Sequence, residues 1–203
     1  NAEKISIYDL LHHRTGIVDY INGDSITRQN IYRFHSKEEM IEKITAYQPL
    51  FEPGTKHEYS NSNYNLLGYI IESITKKSYA ENVENRIAKK AELTNTYFPQ
   101  GKINTANNES YSYMFNGETW GKIEEWDNSI AYSAGAIIST PADLTRFMYA
   151  LFEGKLVKPA SLEQMKEIKD GYGKALVQFP FGERRFFGHT GGIENFRAVV
   201  GYY

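Results

Sequence analysis

Two short groups of residues carry side chains that suit proton transfer and substrate binding. The first group is Tyr59-Ser60-Asn61, and the second is His189-Thr190-Gly191-Gly192. A tyrosine hydroxyl and an imidazole can move protons, and an asparagine amide can both donate and accept hydrogen bonds. Glycine allows a substrate to approach the backbone closely. Each group is a weak signal when taken alone, because both patterns are short.

The chain also contains a Ser-x-x-Lys sequence, Ser73-Ile74-Thr75-Lys76, whose spacing can pair a nucleophilic serine with a basic lysine. In a chain this rich in serine and lysine, about one such match is expected by chance. Ser73 also falls near the end of the helix that is predicted to begin after Tyr59. We therefore interpret Ser73 as an ordinary surface serine and not as a nucleophile.

Composition indicates a globular protein and argues against several kinds of partner. The 203 residues carry a formal net charge of -2 and their basic residues are scattered, so no nucleic-acid partner is predicted. The absence of cysteine excludes a disulfide framework and a thiolate nucleophile. The spacing of His, Asp and Glu does not indicate a metal site, and no cofactor is expected. No apolar run approaches the roughly 20 residues that a membrane span requires.

Capping signals predict helices through much of the chain. Ser6 and Ser36 are predicted to begin two of them, the second with a capping box completed by Glu39. Apolar residues at helical spacing from Leu66 to Ile74 predict a helix of about four turns. Further helices are predicted over residues 79–90, after the Thr140-Pro141 cap, and from Ser161 with Gln164.

The pattern changes near Gly171. Strands are predicted over residues 172–179, 184–189 and 196–203, with Pro180-Phe181-Gly182 as the first turn. The stretch 101–128 lacks periodicity and is predicted to be irregular. We expect an α+β fold with a mainly helical region over residues 1–170 and late antiparallel strands over residues 171–203. Because the chain starts without methionine and stops within a predicted strand, we expect both ends to be internal to a longer protein.

Four segments resemble the serine β-lactamase-like family, which includes class C β-lactamases, penicillin-binding proteins, D,D-peptidases and esterases. Leu10 to Ile17 is similar to that family's Leu-Leu-x-His-x-Ser-Gly segment, and Phe51 to Gly68 to its Pro-Gly turn, Tyr-Ser-Asn triplet and following helix. Ser133 to Phe147 is similar to its Ala-Gly-Gly…Ser-Thr…Asp-Leu segment. Gly188 to Gly192 resembles its third motif, in which His often replaces the Lys of Lys-Thr-Gly. The segments follow the family's order and spacing.

The resemblance implies a serine hydrolase that works through an acyl-enzyme on β-lactam, D-aminoacyl peptide or ester substrates. The family's Ser-x-x-Lys precedes the Leu-Leu-x-His segment, so its place would lie before residue 1. The resemblance therefore implies a truncated β-lactamase/D,D-peptidase-like fold that would be inactive without the nucleophile. An exported, periplasmic or membrane-anchored location is also a family expectation.

The resemblance also assigns roles to the two groups. Tyr59 would share a proton relay with the missing lysine, and Asn61 would hold a substrate amide and orient that lysine. His189 would stand where many relatives have a second lysine, so that any charge it provides is weaker and pH-dependent. The substrate, a small molecule or peptide, would be bound by Thr190, Gly191 and Gly192. The backbone N–H of Gly192 would complete an oxyanion hole.

Other interpretations remain open. The chain could be a non-catalytic relative that binds a peptidoglycan peptide or another small molecule in the same groove. His12 and His13 are interpreted as structural residues near a helix end. Trp120, Trp126 and the tyrosines between 111 and 132 would either line the cleft or pack in the core or rim.

Overall fold

Helices are the main elements of the first 170 residues in the computed structural model, which describes residues 2–21, 23, 26 and 29–203. They are α1 (Ile7–Leu11), α2 (Lys37–Thr45), α3 (Asn61–Thr75), α4 (Tyr79–Val83), α5 (Asn128–Ala131), α6 (Pro141–Phe152) and α7 (Pro159–Lys166). One turn of π-helix, Glu84–Ala88, continues α4. Short 3-10 turns cover Ala2–Lys4, Thr105–Asn107 and Tyr132–Ala134.

The predicted helix starts at Ser6 and Thr140 are confirmed by their hydrogen bonds. The Ser6 hydroxyl accepts from the backbone N–H of Asp9, and the Asp9 carboxylate accepts from the Ser6 N–H, which is a complete capping box. Thr140 caps α6 by accepting from the Asp143 N–H, and Pro141 takes the first helical position. These local signals therefore fix where α1 and α6 begin.

The helix start predicted at Ser36 is confirmed without its full capping box, and the last helix starts earlier than predicted. Ser36 caps α2, but the Glu39 carboxylate pairs with the Arg33 guanidinium, so only half of the predicted capping box forms. The last helix begins at Pro159 with Lys158 as its N-cap, three residues before the start predicted from Ser161. Proline suits the first turn because the N–H that it lacks would have no partner there.

In the part of the chain that the structure describes, five strands form two antiparallel sheets. A hairpin of β1 (Tyr113–Phe115) and β2 (Trp120–Lys122) lies within the stretch that was predicted to be irregular. The other sheet has the order β3-β4-β5 and contains β3 (Val177–Phe181), β4 (Arg184–Ile193) and β5 (Phe196–Tyr202). The three late strands and the α+β class are thus confirmed.

The limits of the late strands correct the prediction in two places. Pro180 and Phe181 belong to β3, and the turn lies at Gly182, whose φ of 61° is in the left-handed region that glycine tolerates. Strand β4 runs to Ile193, four residues beyond the predicted strand end at His189, and so includes the whole His189–Gly192 group. The domain boundary at residue 170 stays a prediction.

Packing of apolar side chains places α3 at the centre of the helical region. Tyr69 of α3 joins Tyr20, Met40, Ile44 and Ile130 in a buried cluster that connects α2, α3 and α5. Helix α6 packs on the larger sheet, where the ring of Phe152 stacks on that of Tyr202 with centroids 4.3 Å apart. Among the helices described, none has the length and apolar character needed to cross a bilayer.

Candidate active site

The segment that enters α3 presents Tyr59 above a buried histidine. Ser60 is the N-cap residue of α3 and is fully buried, whereas the Tyr59 side chain is 43% exposed. The Ser60 N–H donates to His13 Nδ1 at 3.1 Å, and the Glu58 N–H donates to the His13 carbonyl at 2.9 Å. The rings of Tyr59 and His13 lie 4.2 Å apart between centroids. His13 therefore supports Tyr59 from below.

His13 is an uncharged imidazole in this environment. Because its Nδ1 accepts a hydrogen bond from a backbone N–H, the proton of the neutral ring must lie on Nε2. Burial, together with the nearby His57, lowers the pKa of His13 from 6.5 to about 3. The structural role predicted for His13 thus brings it into direct contact with a candidate catalytic residue.

Asn61 is oriented by a buried carboxylate. Asp19 Oδ2 accepts from the Asn61 side-chain Nδ2 at 2.7 Å and from the Asn61 backbone N–H at 3.2 Å. Since the Nδ2 group faces Asp19, the Oδ1 atom of the same amide is turned away from it and can accept a hydrogen bond from a substrate or an ammonium group.

A set of buried polar side chains joins the chain around residues 13–20 to the first turn of α3. Asn63 accepts from the Thr15 hydroxyl at 2.7 Å and lies 3.3 Å from His13 Nδ1 through its Nδ2 atom. The Ser62 hydroxyl donates to the Val18 carbonyl at 2.6 Å and accepts from the Tyr20 N–H at 3.1 Å. Because buried polar groups are costly unless paired, these bonds fix the position of the segment.

His189 reaches the same place from β4. Its ring centroid lies 6.4 Å from that of Tyr59, so the structure brings together the two groups that are 130 residues apart in sequence. The His189 Nε2 atom lies 3.0 Å from the Tyr172 hydroxyl, and Nδ1 lies 2.6 Å from the Thr190 carbonyl oxygen. Tyr172 itself is buried and contacts both the Tyr59 and His13 rings.

The backbone after His189 has an open edge. Strand β3 pairs with β4 only as far as Gly188, whereas β5 pairs with β4 from Phe187 to Ile193. Within the part of the chain that the structure describes, residues 189–193 therefore have a strand neighbour on one side. Thr190, Gly191 and Gly192 are exposed there. Apart from the Thr190 carbonyl, which contacts His189 Nδ1, the backbone groups that face away from β5 can bind an extended substrate as an added strand would.

The tyrosine hydroxyls of this site hold their protons at neutral pH. Burial, with a further contribution from the Asp19 charge, raises the pKa of Tyr59. Burial also raises the pKa of Tyr64, which stacks on His13, to about 12. Tyr59 can therefore donate a proton as it stands, and it needs a neighbouring cation to lower its pKa before it can act as a base.

Ser73 lies away from this site. It is exposed on α3, twelve residues after Asn61, which corresponds to about 18 Å along the helix axis. Lys76 is the C-cap residue of the same helix and is also exposed. The geometry favours the interpretation of Ser73 as a surface residue.

The remaining aromatic and histidine candidates differ in burial and in contacts. Trp120 is 69% exposed on β2, whereas Trp126 packs against the buried Tyr20 cluster. His12 stacks on Tyr8 with centroids 3.9 Å apart. Among the described residues, no cluster of three or more His, Asp or Glu side chains is arranged to hold a metal ion.

Sequence reasoning did not single out Asp19 and Tyr172 as site residues. Asp19 lies 42 residues before Asn61, and Tyr172 lies 17 residues before His189, so no local spacing connects either to its partner. The only signal for Asp19 was its position close after the segment from Leu10 to Ile17, which resembles the family.

Known proteins resemble this chain in sequence family and in fold. A sequence model of the Beta-lactamase family matches residues 1–203. A D-stereospecific amidohydrolase from Streptomyces sp. superposes with a TM-score of 0.88 and 28% identity over 99% of this chain and 65% of that one. The D-amino acid amidase from Ochrobactrum anthropi SV3, complexed with D-phenylalanine, superposes with a TM-score of 0.80. It is 25% identical, and the match covers 95% of this chain and 60% of that one.

A curated relative is similar along nearly the whole chain. Protein flp of Staphylococcus aureus (strain MRSA252) is 27% identical over 98% of this chain and 40% of its own length. The chain thus spans about 40% of the length of the curated relatives that it matches.

Proposed function

Because the chain belongs to the Beta-lactamase family of serine hydrolases, we propose that it supplies the proton-transfer and substrate-binding side of an acyl-serine active site. The observation that carries the proposal is the 6.4 Å approach of the Tyr59 and His189 rings beside the open edge of β4. Two groups from distant parts of the sequence meet where a substrate could contact both. The nucleophilic serine and its lysine would come from outside residues 1–203.

The proposed reaction is transfer of an acyl group to that serine. The serine oxygen attacks the substrate carbonyl carbon, and the serine proton passes to a neighbouring base, since a serine hydroxyl is a weak nucleophile by itself. The tetrahedral intermediate then collapses, the bond from carbon to the leaving nitrogen breaks, and that nitrogen takes a proton. Water then attacks the acyl carbon and gives its proton to the base, and the bond from carbon to the serine oxygen breaks as that oxygen takes a proton.

Tyr59 is the proposed proton carrier of this reaction. As a neutral phenol with a raised pKa it is suited to protonate the leaving nitrogen. To accept a proton it requires a nearby cation, because Asp19 and burial both oppose formation of the phenolate. The family's lysine would provide that charge in this proposal.

Substrate binding is assigned to Asn61 and to the exposed part of β4. The Oδ1 atom of Asn61, turned away from Asp19, would accept from a substrate amide N–H. The Thr190 hydroxyl would bind the carboxylate of a peptide or β-lactam substrate, a group that an amino acid amide lacks, and the Gly192 N–H would stabilise the oxyanion with the N–H of the serine. Gly191 keeps the edge between them free of a side chain.

The substrate class that the comparisons favour is a D-aminoacyl amide. Two of the similar structures carry the names of a D-stereospecific amidohydrolase and a D-amino acid amidase. At 25–28% identity this likeness supports acyl transfer to a D-configured substrate as the first activity to assay. β-Lactams and esters follow as second choices, because one fold hosts several of these activities.

Intact-mass spectrometry tests the proposal. Residues 1–203 alone and the complete gene product are each incubated with a fluorophosphonate and with benzylpenicillin. We expect a covalent adduct on the complete gene product only, at a serine outside residues 1–203. An adduct on residues 1–203 at Ser73 would contradict the assignment of the nucleophile. No adduct on either protein would favour a non-catalytic binding module for peptidoglycan peptides or small molecules.

A further inference from the structure

Tyr172 is a buried tyrosine that belongs to neither of the two groups of candidate site residues. It is 5% exposed and lies just before β3. Its backbone is fixed on both sides, because its N–H donates to the Lys169 carbonyl at 3.1 Å and its carbonyl accepts from the Lys169 N–H at 3.0 Å. The next residue, Gly173, has no room for a Cβ, which would lie 2.3 Å from the Met165 carbonyl oxygen. The ring of Tyr172 is therefore held in one place.

The ring of Tyr172 contacts a ring from each of the two groups, Tyr59 and His189. Its centroid lies 4.6 Å from that of His13, 6.1 Å from that of Tyr59 and 5.7 Å from that of His189. His57 is also in contact, with centroids 5.9 Å apart. The position of Tyr172 can thus influence the segment before α3 and strand β4 together.

The hydrogen bonds of His189 identify where its protons lie. A carbonyl oxygen only accepts, so the 2.6 Å contact with the Thr190 carbonyl requires a proton on His189 Nδ1. In the neutral ring Nε2 then carries a lone pair that accepts from the Tyr172 hydroxyl at 3.0 Å, a hydroxyl that is also in hydrogen-bonding contact with Tyr64. Burial raises the pKa of Tyr172, so this hydroxyl keeps its proton across the working pH range.

Building on the proposed function, we propose that Tyr172 is a positioning residue that selects the His189 tautomer with its proton on Nδ1 and holds its ring beside Tyr59. His189 then contributes shape and orientation to the site. The titratable side chains whose rings face it are Tyr59 and Tyr172. The charge that stabilises a Tyr59 phenolate would come from the family's lysine alone.

Long-range 1H–15N correlation spectra of the histidine side chains test this assignment. The protein of residues 1–203 is measured at pH 8. A His189→Gln variant identifies the His189 signals among its five histidines. We expect the wild-type His189 to carry its proton on Nδ1. In Tyr172→Phe, which keeps the ring and removes the hydroxyl, we expect the Nε2-protonated form to become populated.

A matched control is Tyr20→Phe. Tyr20 is also buried and its hydroxyl donates to the Ile130 carbonyl, which lies in another part of the core. We expect this variant to lose stability without any change in the His189 spectrum. A wild-type His189 protonated on Nε2, or a Tyr172→Phe spectrum identical to wild type, would overturn the proposal.

Kinetics of the complete gene product separate this proposal from the proposed function. We expect Tyr172→Phe to lower kcat about tenfold with KM nearly unchanged, the loss typical of one hydrogen bond. A tautomer shift in a protein that hydrolyses no substrate would retain the assignment of the His189 protons and overturn the proposed function. A wild-type rate in a variant whose tautomer has shifted would overturn the positioning role.

Discussion

The two groups of site residues are held in place by different means. Tyr59 and Asn61 stand on buried polar side chains, chiefly His13 and Asp19, that come from a segment more than 40 residues earlier. His189 and the residues after it are held by backbone pairing with β5 and by glycines. The first group therefore depends on which side chains lie beneath it. The second depends on glycines, because strand β5 packs so closely on β4 that a Cβ at Gly188 would clash with the Val200 carbonyl.

This difference explains why the segment from Leu10 to Ile17 resembles the family although it holds no proposed catalytic residue. Its His13 and Thr15 are buried and bond to the first turn of α3. Gly16, with φ of 76°, leaves space for the Phe51 carbonyl, which would lie 2.1 Å from a Cβ. The segment supports the Tyr-x-Asn group, and its residue types are those that the support requires.

Removing a buried amide beneath the first group should give the largest effect. In Asn63→Ala the Thr15 hydroxyl loses its acceptor and a small cavity forms under α3. We expect the free energy of unfolding to fall by about 2–4 kcal/mol. Urea unfolding measured by circular dichroism gives this value. Thr190→Ala, at an exposed position in the second group, is the matched control and should cost less than about 0.5 kcal/mol. Equal costs would remove the contrast between the groups.

The second group should be sensitive where its backbone packs most tightly. A Cβ on Gly188 would lie 1.9 Å from the Val200 carbonyl oxygen, whereas one on Gly191 would make an ordinary 3.6 Å contact with Ala198. We expect Gly188→Ala to destabilise the protein by about 1–3 kcal/mol. Gly191→Ala should change stability by less than about 0.5 kcal/mol. Thermal unfolding distinguishes them, and a tolerated Gly188→Ala would show that β5 can move away.

Acid sensitivity should separate the two groups through His13. Its folded pKa of about 3 lies below its ordinary value of 6.5, so the unfolded chain binds a proton that the folded chain does not. The stability of the folded state therefore falls as the pH decreases from 6.5 towards 3, by up to about 1.4 kcal/mol per pH unit. His13→Asn should reduce this slope, because asparagine does not titrate, accepts a hydrogen bond and tolerates the φ of 53°.

His189→Asn is the control for the acid experiment. His189 lies on the strand and keeps an exposed neighbour in Thr190. Urea unfolding at pH 7, 6, 5 and 4 should give a reduced slope for His13→Asn and a smaller change for His189→Asn. A slope in His13→Asn equal to that of wild type would mean that His13 titrates normally in the folded protein.

Sequence signals predicted the structure correctly where it depends on residues close together in the chain, as at the helix caps. The Thr140-Pro141 cap and the Ser6 capping box were confirmed because cap hydrogen bonds involve residues three apart. The hairpin of β1 and β2 was missed, since Tyr113, Met114 and Phe115 are all exposed and show no alternation. Strand β4 continues through His189 to Ile193 because β5 pairs with it, and that long-range contact leaves no mark within residues 189–193.

The sequence allowed prediction of the candidate catalytic residues but not of the buried residues that position them. Tyr59, Asn61 and His189 stood out through the resemblance, and the approach of Tyr59 to His189 agrees with that interpretation. Asp19 and Tyr172 act through contacts between distant positions, so no sequence window contains both partners. Such residues become visible only when the hydrogen bonds are known.

The central claim is that Tyr59 and His189 act in one site, and a double-mutant cycle tests it most directly. Hydrolysis of D-phenylalanine amide by the complete gene product is measured for wild type, Tyr59→Phe, His189→Gln and the double variant. We predict that each single change lowers kcat/KM and that the double variant loses less than the product of the two, with a coupling of at least about 0.5 kcal/mol. Independent, multiplicative losses, or no loss in either single variant, would contradict the account.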